Sequence, residues 1–202
     1  MTKLETAKYI IDYFKPTGTI LEPCRGDGAF YDQFEGNKDW CEIREGKDFF
    51  DYNKKHVELI GVEAGGPKNS KLHAAPLSKN SRIAILHGAA AYCVQDSDGQ
   101  INETDSCSSG LDYPSTSPIH CYLKDIGRAR YSYATDEDAF SAYKLVTKLE
   151  EISPSLEPAH SFAEAIKIAP KLDESNIIVV NSCGDSLKDK DIIKKRLGNY
   201  IR

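Results

Sequence analysis

Ser106–Leu123 reads SCSSGLDYPSTSPIHCYL, a stretch that Gly110, Pro114 and Pro118 interrupt at short intervals. Ser117 followed by Pro118 supplies a helix cap and a first-turn proline, and Gly127 supplies a stop. Working outward toward the C-terminus, Arg130 to Ala134 reads as a strand. Thr135 with an acid three residues on, Asp138, then forms a capping box, and Ala139, Ala142, Tyr143, Val146 and Leu149 continue one apolar helical face. A second helix is predicted from Ala159 to Ile168, with Phe162, Ala165, Ile166 and Ala169 on one side. Ile177 to Val180 is predicted to be a last buried strand, and Asp189 to Tyr200 a charged closing helix. Working outward in the other direction, Tyr92 to Gln95 and Ile83 to Leu86 read as short strands, with Asp96-Ser97-Asp98-Gly99 as a turn. Val57 to Val62 is a continuous apolar run of the kind found inside a parallel sheet. This alternation predicts an α/β fold, a mostly parallel sheet with helices on both faces.

The N-terminal quarter begins with an amphipathic pattern over residues 2 to 14, ended by Lys15-Pro16-Thr17-Gly18. Thr19 to Pro23 then predicts a strand, Cys24-Arg25-Gly26-Asp27-Gly28 a glycine turn, Ala29 to Phe34 a helix, and Trp40 to Ile43 a second strand. Strand, glycine turn and helix together form the opening of a nucleotide-binding unit, because glycines let the backbone approach a ligand and the helix start offers free N–H groups. A glycine turn is equally the mark of a purely structural bend.

Composition narrows the classes. The 202 residues are 40% hydrophobic, enough for a packed core, and the formal charge of −5 argues against a nucleic-acid backbone as principal partner. Six cysteines without a CxxC pair or Cys/His spacing give neither a zinc motif nor a disulfide framework, and they read as free thiols of a reducing cytoplasm. His73, His87, His120 and His160 are scattered, so structural or surface roles are expected. The absence of a long apolar run argues against membrane spanning.

The GLDYP of residues 110–114, followed by Pro118, His120, Tyr122 and Leu123, resembles the β-subunit of tryptophan synthase, a pyridoxal-phosphate (PLP) enzyme. The resemblance runs from about residue 56 to 202 and includes Gly61-Val62-Glu63-Ala64-Gly65-Gly66. It implies a lyase that joins serine to indole, PLP as cofactor, and an α-subunit as partner. It also implies roles for single residues: Glu63 near the pyridoxal ring, Asp112 on a mobile loop closing over substrate, and the backbone of Tyr113 and Ser115 at a monovalent-cation site. Cys183 in Asn181-Ser182-Cys183-Gly184 stands where the family has a serine opposite the ring nitrogen, beside Gly184. The family's Schiff-base lysine segment and its glycine-rich phosphate cup do not occur in the sequence. An incomplete lyase segment, inactive alone, is therefore expected.

Residues 1 to 55 resemble a different family, in the stretch ILEPCRGDGAF. It is similar to the S-adenosylmethionine loop of amino-methylating DNA methyltransferases, which implies cofactor binding by Gly26, Asp27 and Gly28, ribose binding by Glu42 and adenine binding by Asp48. The resemblance ends before that family's catalytic [DNS]-P-P-[YFW] motif. The chain thus reads as a composite of two segments, 1–55 and 56–202.

Overall fold

The computed structural model describes residues 5, 8, 9, 11, 12, 20–22, 31–35, 38–40, 57–79 and 81–198. The chain divides into two units, Met1–Val57 and Glu58–Arg202.

In the first unit Glu5, Lys8, Tyr9, Ile11 and Asp12 are helical, as the amphipathic pattern predicts. Strand β1 (Ile20–Glu22) pairs in parallel with β2 (Lys38–Trp40), Ile20 opposite Lys38 and Glu22 opposite Trp40. The second strand begins two residues before its predicted start. Where a helix is expected over Ala29 to Phe34, a single 3-10 turn spans Tyr31–Gln33. Phe34 and Glu35 already lie outside it, just before Gly36.

The second unit is built on β3 (Leu59–Ala64) and β6 (Ala129–Ala134), which pair in parallel from Leu59↔Ala129 to Ala64↔Ala134. Neighbouring residues of a strand face opposite sides, and β6 shows what each side meets. Arg130 reaches Glu164 at 3.3 Å on α3 (Leu156–Ile168), whereas the Tyr131 hydroxyl meets His120 Nδ1 at 2.9 Å on α1 (Pro118–Asp125). Helices thus cover both faces of the parallel pair. Gly61 lies opposite Tyr131, whose ring occupies the space a side chain would need, 2.4 Å from the position of a Cβ. The expected central strand is thereby corrected. It starts at Leu59 rather than Val57 and is half-buried, and among the described residues it has one neighbour.

Between β3 and α1 lies an antiparallel hairpin, β4 (Arg82–Leu86) and β5 (Ala89–Cys93). Its two-residue turn places both His87 (φ 49°) and Gly88 (φ 82°) at positive φ, the pattern whose twist suits a tight hairpin. The Asp96–Gly99 turn forms as predicted, with Asp96 Oδ1 accepting from the amides of Asp98 and Gln100.

Helix α2 (Asp136–Glu150) begins with the predicted capping box: Thr135 Oγ1 accepts from the Asp138 amide, and Asp138 accepts from the Thr135 amide. Its buried Ala139, Phe140 and Tyr143 join Cys107, Leu156, Ala159 and Ile193 in one core cluster. Ile193 comes from α4 (Lys190–Leu197), which follows a 3-10 turn at Ser186–Asp189. Helix α3 starts three residues earlier than predicted, and its buried side is Leu156, Ala159, His160 and Glu164, not the expected Phe162-Ala165-Ile166 side. The hydrophobic pattern misplaces this face because two of its buried residues are polar and carry partners: His160 bonds to Leu156 O and Glu164 to Arg130.

The expected last strand is also corrected. Ile177–Val180 belongs to no strand, and Ile177 and Val179 are each 88% exposed. A buried strand needs a neighbour to receive its hydrogen bonds, and no described strand lies beside this one.

Candidate functional site

Glu63, next to last in β3, lies on the same face as Gly61, because residues two apart share a side of a strand. Its carboxylate accepts from the Leu77 amide at 3.0 Å, the Ser78 amide at 2.7 Å and Ser78 Oγ at 2.5 Å. Burial raises the Glu63 carboxyl above its usual range, against the pull of those donors from Ser78 and Leu77. Beside it a cavity of about 280 Å³ opens, lined among others by Leu111, Tyr113, Ser115, His120 and Tyr131. The Tyr131 hydroxyl is pushed up to about 12, first by burial and then by the charge of Glu63. The far rim is fixed by the hairpin. Tyr113 Oη lies 2.7 Å from His87 Nδ1, Ser115 Oγ donates to Tyr92 O at 3.1 Å, and Pro114 O accepts from the Val94 amide at 2.8 Å.

Three residues named from the sequence, Glu63, Tyr113 and Ser115, therefore meet around one cavity. Asp112 is exposed and does not line it. Gly184 lines a separate hollow of about 560 Å³ with Ser153, Pro154, Asp185 and Leu187, and Cys183 beside it is exposed. A Cβ at Gly184 would lie 2.8 Å from Ser155 Oγ, so a larger residue there would have to displace that side chain. Gly26, Asp27, Gly28, Glu42 and Asp48 lie outside the described residues.

A pyridoxal cofactor needs a lysine, a phosphate cup and a partner for its ring nitrogen. Among the described residues no lysine lines either hollow. The oxygens of Glu63 are already occupied by backbone and serine donors, and Cys183 faces solvent away from the Glu63 cavity. The described residues thus form part of a wall and do not complete a site for this cofactor.

Two features escaped the sequence reading. Lys79 donates to Gly65 O at 3.3 Å and lies 4.4 Å from the centre of the Tyr133 ring, and burial lowers its pKa. Cys107, Asp136 and His160, all buried, bring a sulfur, a carboxylate oxygen and a ring nitrogen within 4.8 Å of one another. Their separation along the chain gives no motif spacing, so only the fold reveals them.

The geometry defines a mixed α/β unit with a parallel strand pair and, beside it, a cavity lined by both polar and apolar residues. Comparison with known proteins sharpens this. The chain is 48% identical over 137 residues, 67% of its length, to the tryptophan synthase beta chain of Chromobacterium violaceum, and it spans 34% of that protein. No family model matches the chain. Among solved structures, a fungal L-serine ammonia-lyase from Rhizomucor miehei superposes over 98% of this chain and 56% of its own with a TM-score of 0.46 and 15% identity, too loose a likeness to bear on function.

Proposed function

We propose that residues 56–202 are a tryptophan synthase β-type segment of a PLP-dependent lyase, a segment that walls the substrate chamber and is inactive without a lysine and phosphate cup supplied by a second polypeptide. The observation that carries this reading is the 48% identity over 137 residues. PLP, when bound, supplies an electron sink for serine and indole chemistry. In this reading Glu63 fixes the Leu77–Ser78 turn under the chamber, Asp112 on its exposed loop closes over substrate, and the Tyr113 and Ser115 carbonyls hold a monovalent cation. Cys183 and Gly184 join the chamber only when the exposed Ile177–Val180 segment gains a strand neighbour. A synthase α-subunit is the expected partner and the cytoplasm the expected location. Among the described residues no helix is long and apolar enough to cross a membrane.

The test mixes the full chain with a separately produced N-terminal two-thirds of the Chromobacterium violaceum protein, adds PLP, serine and indole, and measures tryptophan. Activity in the mixture, absent from either component and reduced by Asp112→Ala, is the expected result. A mixture no more active than its components removes the reading.

For residues 1–55 we infer an S-adenosylmethionine-binding opening from the stretch ILEPCRGDGAF alone; the parallel pairing of β1 with β2 is common to many α/β units and does not distinguish it. Calorimetric titration with S-adenosylhomocysteine tests it. Glu42→Ala is expected to weaken binding by removing a charge-assisted bond worth roughly 1.5–3 kcal/mol, and an unchanged dissociation constant rejects the ribose assignment.

A further inference from the structure

Cys107, Asp136 and His160 come from three separate elements: the loop before α1, the first residue of α2 and the first turns of α3. The fold holds each one firmly. The Asp136 amide donates to Gly66 O at 3.0 Å, while Asp136 Oδ1 accepts from the Cys107 amide at 3.1 Å. His160 Nδ1 lies 2.7 Å from Leu156 O, so Nδ1 carries the proton and Nε2 presents a lone pair. Among the described residues that Nε2 has no hydrogen-bond partner, although His160 is 0% exposed. A buried polar atom left unanswered is destabilising and calls for an explanation. The Tyr143 hydroxyl, in the same core cluster as Cys107, is also without a hydrogen-bond partner among the described residues.

We propose that Cys107, Asp136 and His160 form a buried site for a divalent cation of intermediate softness, Zn²⁺ above all, independent of the lyase reading. The donor set selects the ion: thiolate and imidazole suit zinc and disfavour magnesium and calcium, which take oxygen ligands. The charge also balances, because one thiolate and one carboxylate neutralise a dication where an uncompensated charge would be costly. The geometry needs a small contraction. Tetrahedral zinc with bonds of about 2.0–2.3 Å places its ligand atoms about 3.4–3.6 Å apart, and the three atoms here already lie within 4.8 Å. Three protein ligands leave a fourth position for water.

The hydrogen bond from Nδ1 to a backbone carbonyl is the usual outer-shell support of a metal-binding histidine. Coordination replaces the S–H bond by a sulfur–metal bond and passes the proton to solvent.

The experiment uses the full chain, stripped with chelator, with zinc and cobalt as probes. One tightly held equivalent of zinc is expected to survive desalting, with one sulfur at about 2.3 Å and one imidazole in its X-ray absorption shell. Cobalt should give a thiolate charge-transfer band. Loss of even an outer-shell partner costs about 10- to 100-fold in metal affinity, so Cys107→Val should weaken zinc binding at least 100-fold and abolish the band. Cys183→Ser should change neither. The inference is overturned by zinc that washes out of the unmodified chain, by a shell without sulfur, or by a cobalt band that persists in folded Cys107→Val. The first two readouts need no variant and stand even if the substitution unfolds the protein.

Discussion

The Gly110 amide donates to Glu157 Oε1 at 3.0 Å across 47 residues, and Lys188 Nζ donates to the same oxygen at 2.8 Å in an ion pair with that carboxylate. One side chain thus ties the 106–112 loop and the approach to α4 onto the start of α3. Burial alone would raise the Glu157 carboxyl, but Lys188 and neighbouring donors bring it down to about 2 from an ordinary 4.5. A carboxyl depressed by folding stabilises the native state above its unfolded value and loses that contribution as it is protonated. Stability should therefore fall as pH drops from about 4.5 toward 2. Urea midpoints measured across this window should fall less steeply for Glu157→Gln than for the unmodified chain; parallel slopes would refute the assignment.

Two glycines with similar backbone angles should answer differently to the same substitution. Gly66 has φ +73°, and a Cβ there would lie 2.2 Å from Leu72 O and 2.8 Å from Asp105 O. Gly88 has φ +82°, and a Cβ there would have no atom of the described residues within 4 Å. Gly66→Ala should cost more than the roughly 1–3 kcal/mol of a strained backbone, whereas Gly88→Ala should cost about 1 kcal/mol. Equal thermal shifts for the two variants would contradict the packing described around Gly66.

Glu63→Ala strands the Leu77 and Ser78 amides that its carboxylate now receives. Each buried unsatisfied donor costs about 1–3 kcal/mol, so a loss of at least about 2 kcal/mol in urea unfolding is expected. A smaller loss would mean that water reaches the turn.

Ile177 and Val179 bury almost nothing, so Ile177→Thr and Val179→Thr should leave stability within about 0.5 kcal/mol. In the complementation mixture the same substitutions should reduce tryptophan formation if the segment gains its neighbour there. A stability loss above 1 kcal/mol in the chain alone would show that the segment already packs.

Local signals were read correctly where a few adjacent residues decide the outcome. Ser117-Pro118 opens α1, and Thr135 with Asp138 caps α2, because caps are satisfied within one turn. The β4–β5 turn was legible in principle from His87-Gly88, although a histidine at positive φ is an uncommon first choice. Burial was not legible where its cause is distant. His160 and Glu164 lie inside because Leu156 O and Arg130 receive them, and Ile177 and Val179 are exposed because no described strand lies beside them, a condition that a strand pattern does not reveal. The GLDYP stretch brought Glu63, Tyr113 and Ser115 to one cavity, but sequence order could not place Cys183 apart from them.

The parallel register of β3 and β6 joins residues 70 positions apart, Leu59 to Ala129 and Ala64 to Ala134. The α2 and α3 helices, by contrast, are sequence neighbours that pack directly on each other. Closing a long loop must precede the reward of its contacts, so pairing of this kind is slow and helical hairpins are fast. The helical half should assemble first and present α3 as the surface on which the two strands find each other. During synthesis β3 emerges long before its partner, and it waits exposed until residue 134 has left the ribosome.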